Sequence, residues 1–234
     1  MIDKELVKKR FSKSLDTYED NAFIQRKMGE KLLQLLNKRE FNSIFEIGCA
    51  TGLLTKQIKS SLKYNSLTVN DIVEDAKQYV ENIVDEFICE DIESLSFEKK
   101  YDLIISNACL QWCNDINLTI NKLLNALEHN GILAFTLFGE DNLKEIKTLF
   151  NFQNKINLSA KIIEEETIKI YFDSPREVLK HLKLTGVNAL QEHKFTKSTL
   201  KDFEEKYNKM YSENGKVYLT YNPIYLIIKK NDIV

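Results

Sequence analysis

Cysteine, proline and glycine are all scarce in this sequence of 234 residues, which contains four, two and seven of them. The cysteines are spread out, lack the paired spacing of a zinc site and lie inside apolar runs: Cys49, Cys89, Cys109 and Cys113. We therefore expect reduced cysteines in the core, with no disulfide framework and no metal site.

Long apolar runs and an excess of either charge are also missing. The sequence has no run of about 18 apolar residues, the length that a membrane-spanning helix needs, and the charged start "MIDKELVKKRFSKSLDTYED" is unlike a signal peptide. The net charge of −2 provides no basic excess of the kind that bulk nucleic-acid binding requires. We expect a cytoplasmic protein that binds neither membranes nor nucleic acid.

A regular alternation of strand and helix patterns begins after the first 40 residues. Short apolar segments predict strands at 43–47, 66–70, 86–89, 101–106 and 131–138, and helix-compatible segments separate them near 52–62, 73–84 and 115–128. Strands that alternate with helices predict an α/β fold with a doubly wound, mostly parallel sheet. Right-handed crossovers would place helices on both faces of that sheet.

The flanking regions follow other patterns. Before the alternating region, two helices are predicted at 2–16 and 21–37. After it, the patterns predict a strand at 162–172, helices at 174–186 and 196–211, and a β-rich segment at 216–230 with Pro223 at a bend or edge. No linker divides these parts, so we expect a single domain, 1–234. It comprises a helical segment at 1–40, the alternating core at 41–138 and a further segment at 139–234.

The stretch "SIFEIGCATGLLTKQI" (43–58) is the strongest candidate for a binding site. The first predicted strand ends at Ile47, and ligands of doubly wound sheets bind beyond such strand ends. Gly48 and Gly52 permit a tight turn, and Asp71 ends the next strand, where its carboxylate could accept both hydroxyls of a ribose. A nucleoside-containing ligand is therefore indicated. A dinucleotide is not, because Ala50 and Leu53 occupy two of the three glycine positions of that fingerprint.

The turn instead resembles the first motif of class I S-adenosylmethionine-dependent methyltransferases, acid-x-Gly-x-Gly-x-Gly, with alanine in the place of the middle glycine. "CEDIESL" and "YDLIISNACLQW" resemble later motifs of that class in the same order. The resemblance implies S-adenosyl-L-methionine as cofactor and a set of binding residues: Glu46, Gly48, Ala50, Gly52, Asp71, Ile72, Asp91, Ile92 and Asn107. Asp91 could also cap a helix, a role that does not exclude binding, and the alternative for Asn107 is a turn residue.

Longer blocks narrow the resemblance. "RFSKSLDTYEDNAFIQRKMGEKLL", "LAFTLFGEDNLKEI", "FDSPREVLKHLKLTGVNA" and "LTYNPIYL" are similar to blocks of the biotin-pathway malonyl-[acyl-carrier protein] O-methyltransferases. This implies methylation of the free carboxylate of a malonyl group on acyl carrier protein or coenzyme A, by a monomer whose N-terminal helices form a lid. A carboxylate is already ionised at neutral pH, so we expect no general base and no catalytic residue.

Recognition of the malonyl carboxylate would need hydrogen-bond donors, for which Tyr18, Gln111 and Arg176 are our candidates. Carrier proteins are acidic, and Lys180, Lys183 and Arg176 have the spacing of one helix face that could bind such a partner. Other interpretations remain: Tyr18 as a core residue, a small-molecule methyltransferase acting on trans-aconitate or a quinone precursor, or a non-catalytic binding module.

Overall fold

A computed structural model describes residues 2–150, 158–185 and 196–232. Its strands are β1 Glu40–Ile47, β2 Lys63–Asp71, β3 Glu86–Cys89, β4 Tyr101–Asn107, β5 Leu127–Phe138, β6 Glu164–Glu165, β7 Ile168–Phe172, β8 Ser212–Glu213, β9 Lys216–Tyr221 and β10 Pro223–Lys229. Its helices are α1 Lys4–Asn21, α2 Phe23–Leu35, α3 Leu53–Ser61, α4 Lys77–Val80, α5 Ile116–Asn125, α6 Lys144–Phe150, α7 Pro175–Leu184 and α8 Lys197–Met210.

The main sheet in the described part of the chain has the order β3-β2-β1-β4-β5-β10-β6. Strands β1 to β5 are parallel, and β10 runs antiparallel to its neighbours β5 and β6. The direction of winding reverses between β1 and β4, which is where such sheets bind ligands. This topology confirms the predicted doubly wound, mostly parallel α/β fold with N-terminal helices.

Both faces of the sheet are covered by apolar cores, as the unbroken apolar runs of the central strands require. Along β4, Leu103 and Ile105 belong to one core cluster and Ile104 to the other. Two packed faces leave β4 and β1 buried, so that their carboxyl ends are rigidly held. No helix in the described ranges is long and apolar enough to cross a membrane.

The predicted strand at 162–172 is instead two strands in two different sheets. β6 pairs with β10 in the main sheet, whereas β7 joins β9 and β8 in a second, antiparallel sheet. The cause is Asn222, between β9 and β10, whose side-chain amide donates to Glu165 Oε1 (2.9 Å) and to the Glu166 carbonyl (2.8 Å). Because β9 and β10 diverge at Asn222, their partner segment must change sheets there too. Pro223 is the first residue of β10, which confirms the predicted bend.

Three further predictions need correction. The first helix continues to Asn21, and its end is held against α7, where the Thr17 hydroxyl donates to the Leu184 carbonyl (3.2 Å), a contact that its polar sequence does not reveal. The helix predicted at 73–84 is reduced to a 3-10 turn at 74–76 and α4, since the chain must turn to enter β3. All four thiols are free, but Cys89 is exposed rather than in the core, because β3 is a short edge strand.

Candidate functional site

A cavity lies at the carboxyl ends of β1, β2 and β4, the place where doubly wound sheets bind their ligands. Helix α1 lies over it with one face, at the three- and four-residue spacing of a helix stripe: Lys4, Val7, Phe11, Leu15 and Tyr18. The strand ends and the loops that follow them form the opposite wall. The cavity is therefore enclosed between the sheet and α1.

The glycine turn after β1 has an unusual backbone. Gly48, Ala50 and Gly52 all have positive φ, at 73°, 46° and 78°. A methyl group built on Gly48 would lie 2.4 Å from Cys109 Sγ, and one on Gly52 would lie 2.8 Å from Val80 Cγ1. Both glycines are therefore required by conformation and by space. Gly48 and Ala50 line the cavity, whereas Gly52 packs against α4 and does not line it.

Asp71, at the end of β2, is buried and lines the cavity. Its Oδ2 accepts from the Ala50 amide (2.8 Å) and its Oδ1 from the Val73 amide (2.9 Å). Burial raises the pKa of this carboxyl, and the backbone amides oppose that shift. Each carboxylate oxygen can accept one more hydrogen bond, so Asp71 can still bind a diol. Ile72 lines the cavity beside it.

Asp91 and Ile92, in the loop after β3, also line the cavity. The Asp91 carboxylate accepts from the Glu93 amide (3.0 Å) and forms an ion pair with Lys4 (3.2 Å). Lys4 also contacts Glu93 at 2.6 Å, so it attaches the start of α1 to this loop. Asp91 therefore begins a turn at 92–94 rather than capping a helix, and it also lines the cavity.

Asn107 connects three elements at the end of β4. Its amide donates to the Gln25 carbonyl (2.8 Å), and its Oδ1 accepts from the Thr136 hydroxyl (2.6 Å). The following residue, Ala108, has a φ of 50° and donates its amide to the same Thr136 hydroxyl (2.9 Å). Asn107 and Ala108 both line the cavity. The network fixes the end of β4 relative to α2.

Glu46 lies behind the glycine turn and does not line the cavity. It is 1% exposed; its Oε2 accepts from the Thr55 hydroxyl (2.7 Å), and its Oε1 has no hydrogen-bond partner among the described residues. Burial raises the pKa of Glu46 to about 8, and the nearby Asp71 carboxylate adds to the shift. The nearby Thr51 hydroxyl is equally buried and also lacks a described partner.

The three predicted substrate residues have different positions. Tyr18 lines the cavity, and its hydroxyl has no hydrogen-bond partner in the described part of the chain. Burial raises the pKa of Tyr18, so the phenol is a neutral donor. Gln111 does not line the cavity; its amide donates to the Ala108 carbonyl (2.9 Å), and its buried Oε1 is unpaired within the described ranges.

Arg176 requires a correction. It is exposed at the start of α7, is not among the residues that line the cavity, and forms an ion pair with Glu204 of α8. The guanidinium is therefore already used by a surface carboxylate. Arg176 also cannot share a free basic face with Lys180 and Lys183, which are both exposed on α7.

Sequence reasoning missed several residues that line the cavity. Lys4 was one of many lysines in α1, and its role depends on Asp91, which is 87 positions later in the chain. The ring of Trp112 meets Phe11 of α1 edge to face, with ring centres 5.7 Å apart, and both residues line the cavity. The available signal was the helical spacing of Lys4, Phe11 and Tyr18, which puts them on one face of α1.

Comparisons with known proteins agree with this geometry. Residues 45–135 match the family described as methyltransferase domain. The chain is 39% identical to the malonyl-[acyl-carrier protein] O-methyltransferase of Calditerrivibrio nitroreducens, with 96% of each protein covered. It is 35% identical to the protein of that name in Porphyromonas gingivalis, with 97% of this chain and 96% of that one covered.

A solved structure is similar in fold. It is the N-methyltransferase NodS of Bradyrhizobium japonicum in complex with S-adenosyl-L-homocysteine, with a TM-score of 0.54 and 20% identity, covering 69% of this chain and 89% of that one.

Proposed function

The chain belongs to the malonyl-[acyl-carrier protein] O-methyltransferase family, and from this membership we propose that it methylates the free carboxylate of a malonyl thioester on acyl carrier protein. The methyl donor is S-adenosyl-L-methionine, and the chain acts as a monomer. The product is the methyl ester that, by the resemblance described above, primes pimeloyl synthesis in the biotin pathway. The observation that supports this most is the single cavity that brings the glycine turn, Asp71, Asp91 and Tyr18 together.

The residues present fit the donor. The positive-φ turn brings backbone rather than side chains to the cavity wall at Gly48, where an added methyl group would clash with Cys109. Asp71 has acceptor capacity left for ribose hydroxyls, and Asp91 for the exocyclic amine of adenine, with Ile92 against the ring. Ile72, Ala50 and Asn107 complete the proposed contacts, and Glu46 and Gly52 support the turn from behind.

The chain's own residues have little chemistry to perform. When bound, S-adenosyl-L-methionine supplies a methyl group on a positively charged sulfur, which a carboxylate can attack without losing a proton first. The malonyl carboxylate is ionised at neutral pH, so positioning is the main requirement. Helix α1 contributes by covering the cavity with an apolar stripe that excludes water.

Tyr18 is the proposed contact to the malonyl carboxylate. It faces the cavity with a hydroxyl that no described residue engages, and burial keeps it protonated. A neutral donor can hold the carboxylate without the strong stabilisation of an ion pair, which would lower its reactivity. Gln111, beside the cavity wall at Ala108, is proposed as a second and more distant contact.

The carrier is proposed to dock by charge. Lys180 and Lys183 are exposed on α7, and Thr17 connects the end of that helix to α1 near Tyr18. This exposed pair is the basic face that we propose for an acidic carrier.

The decisive experiment incubates the protein with S-adenosyl-L-methionine and malonyl-acyl carrier protein, and looks by mass spectrometry for one added methyl group that mild base removes. Tyr18→Phe keeps the ring and deletes the hydroxyl, so the rate should fall by about ten-fold, the equivalent of about 1.4 kcal/mol. Arg176→Ala is the matched control and should react at the wild-type rate.

Two outcomes would contradict the proposal. If the protein binds the donor but methylates neither malonyl-acyl carrier protein nor malonyl-coenzyme A, it is not a malonyl methyltransferase. A Tyr18→Phe variant with the wild-type rate, or one that loses donor affinity and thermal stability together, would show that Tyr18 is a structural residue.

A further inference from the structure

Two buried carboxyl groups lie together at the glycine turn, and no lysine, arginine or histidine of the described residues forms an ion pair with either of them. Asp71 is 8% exposed and lines the cavity, and Glu46 is 1% exposed and precedes Ile47, which also lines it. Asp71 accepts from two backbone amides. Glu46 accepts from Thr55, whose hydroxyl lies 2.7 Å from Oε2, and its Oε1 has no partner among the described residues.

The groups that face Glu46 are all neutral or acidic. Thr55 contacts it from α3, Asp71 acts on it from the end of β2, and the Cys49 thiol and the Tyr64 phenol lie close enough for its charge to raise their pKa values. No ion pair of the described residues involves Glu46 or Asp71. An isolated buried charge is costly, and such a group keeps its proton instead. The geometry therefore favours a protonated Glu46 while the cavity holds no cation, in agreement with a pKa of about 8.

We infer that Glu46 and Asp71 form a pair whose protonation depends on the charge of the bound ligand. A cationic sulfonium donor in the cavity makes Glu46 release its proton to solvent, and the neutral thioether product causes less proton release. The inference rests on the proposed function only for the identity of the donor. Its physical basis is that charges interact strongly where water is excluded. Loss of the sulfonium charge after transfer lets Glu46 regain its proton, which weakens the hold on the product.

Calorimetry measures this linkage directly. The full-length protein is titrated with S-adenosyl-L-methionine at pH 7 in phosphate and in Tris, whose ionisation enthalpies differ. Up to about 0.9 proton should be released per site, the protonated fraction of a group with a pKa of about 8. Affinity for the donor should rise by up to about eight-fold between pH 6.5 and 7.5. S-adenosyl-L-homocysteine should release fewer protons under the same conditions.

Two variants locate the proton. Glu46→Gln keeps the shape of the side chain but cannot titrate, so its binding should release no proton and its affinity should be flat over the same pH range. Glu40→Gln, at the exposed start of the same strand, where Glu40 pairs with Lys63 at 2.8 Å, should behave as wild type. Circular dichroism checks that both variants are folded.

Equal proton release by Glu46→Gln and wild type, or no release by wild type, would overturn the inference. If Glu46→Gln does not fold, the comparison of the two ligands on wild type still decides, since equal release for both would remove the charge selectivity. None of these titrations needs malonyl-acyl carrier protein. Intact linkage without methyl transfer would therefore overturn only the proposed function, and no donor binding at all would overturn both.

Discussion

The Asp71→Ala variant tests the two tasks that the structure assigns to one carboxylate. It removes the acceptors of the Ala50 and Val73 amides, which lie at 2.8 and 2.9 Å from its two oxygens. A buried amide left without an acceptor costs about 1–3 kcal/mol, so the gross loss is about 2–6 kcal/mol. Removing a buried carboxylate also relieves its desolvation, the main cause of its raised pKa, so we expect the lower half of that range.

Donor affinity should fall as well, for a separate reason. The ribose hydroxyls would lose a charged acceptor, which is worth about 1.5–3 kcal/mol, or roughly 10- to 150-fold in the dissociation constant. Urea unfolding measures the first effect and calorimetry with S-adenosyl-L-methionine the second. Asp71→Asn keeps one acceptor oxygen and should recover part of the stability.

Asp102→Ala is the matched control. The Asp102 carboxylate also accepts from two backbone amides, those of Asn42 and Ser43, at 2.8 and 2.9 Å. It lies near the start of β4, five residues before Asn107 and so about 16 Å from the cavity end of the strand. We expect Asp102→Ala to lose some stability, less than Asp71→Ala because these amides are more exposed, and to keep the wild-type donor affinity.

Unfolding of Asp71→Ala at the wild-type urea midpoint would show that its hydrogen bonds to the two amides contribute nothing to stability. A folded Asp71→Ala that binds the donor as tightly as Asp102→Ala does would show that Asp71 does not bind the ribose.

Three further predictions concern the turn and the core. Gly48→Ala should lower the thermal midpoint and abolish donor binding. Adding Cys109→Ala should not restore either property, because the Cβ of residue 109 would still lie 2.7 Å from the new methyl group. Restored donor binding in the double variant would disprove the clash. Ala50 has a φ of 46°, a conformation that costs alanine about 1–2 kcal/mol and that glycine adopts without strain. The greater backbone freedom of glycine in the unfolded chain costs about 0.5–1 kcal/mol, so the urea midpoint of Ala50→Gly should rise slightly and not fall. Burial lowers the pKa of His181, which contacts the Tyr221 hydroxyl at 2.8 Å, from 6.5 to about 4. The stabilisation of the fold by neutral His181 is therefore present above pH 6.5 and is lost as the pH falls toward 4, by up to about 3 kcal/mol of unfolding free energy. The His181→Gln variant should show a flatter pH dependence of unfolding.

The parts of the fold that were predictable are those with local causes. The run "EFIC" is β3 with the predicted bounds, because Phe87 and Ile88 favour an extended strand and polar turns bound the segment on both sides, although the strand is only half-buried at the edge of the sheet. The glycine turn was predictable for a similar reason. Positive φ at Gly48 and Gly52 is a property of those residues and their immediate neighbours, so the sequence carries the signal where the conformation occurs.

The errors have distant causes. Arg176 opens α7 as predicted, but its partner Glu204 is 28 positions later, and no local pattern marks that pairing. The division of 162–172 depends on Asn222, more than 55 positions away from Glu165 and Glu166. Such contacts depend on how two elements approach one another, which periodicity within either element does not encode.

Helix α1 shows how such distant contacts build the site. Its inner stripe runs from Lys4 to Tyr18, a span of about 21 Å at 1.5 Å per residue. At one end Lys4 pairs with Asp91, and near the other the Thr17 hydroxyl donates to the Leu184 carbonyl. Between them, Ser12 donates to Asp75 (2.7 Å).

These contacts are polar and lie at the edges of the cavity, whereas the stripe between them is mostly apolar. Separating α1 from the sheet would break a few partly exposed hydrogen bonds and ion pairs, each worth about 1 kcal/mol or less. The same motion would uncover the adenine end at Asp91 and the substrate end at Tyr18 together. Because one rigid helix covers both ends, we expect donor binding to order the roof over the malonyl site, so that donor and acceptor are brought together by a single element.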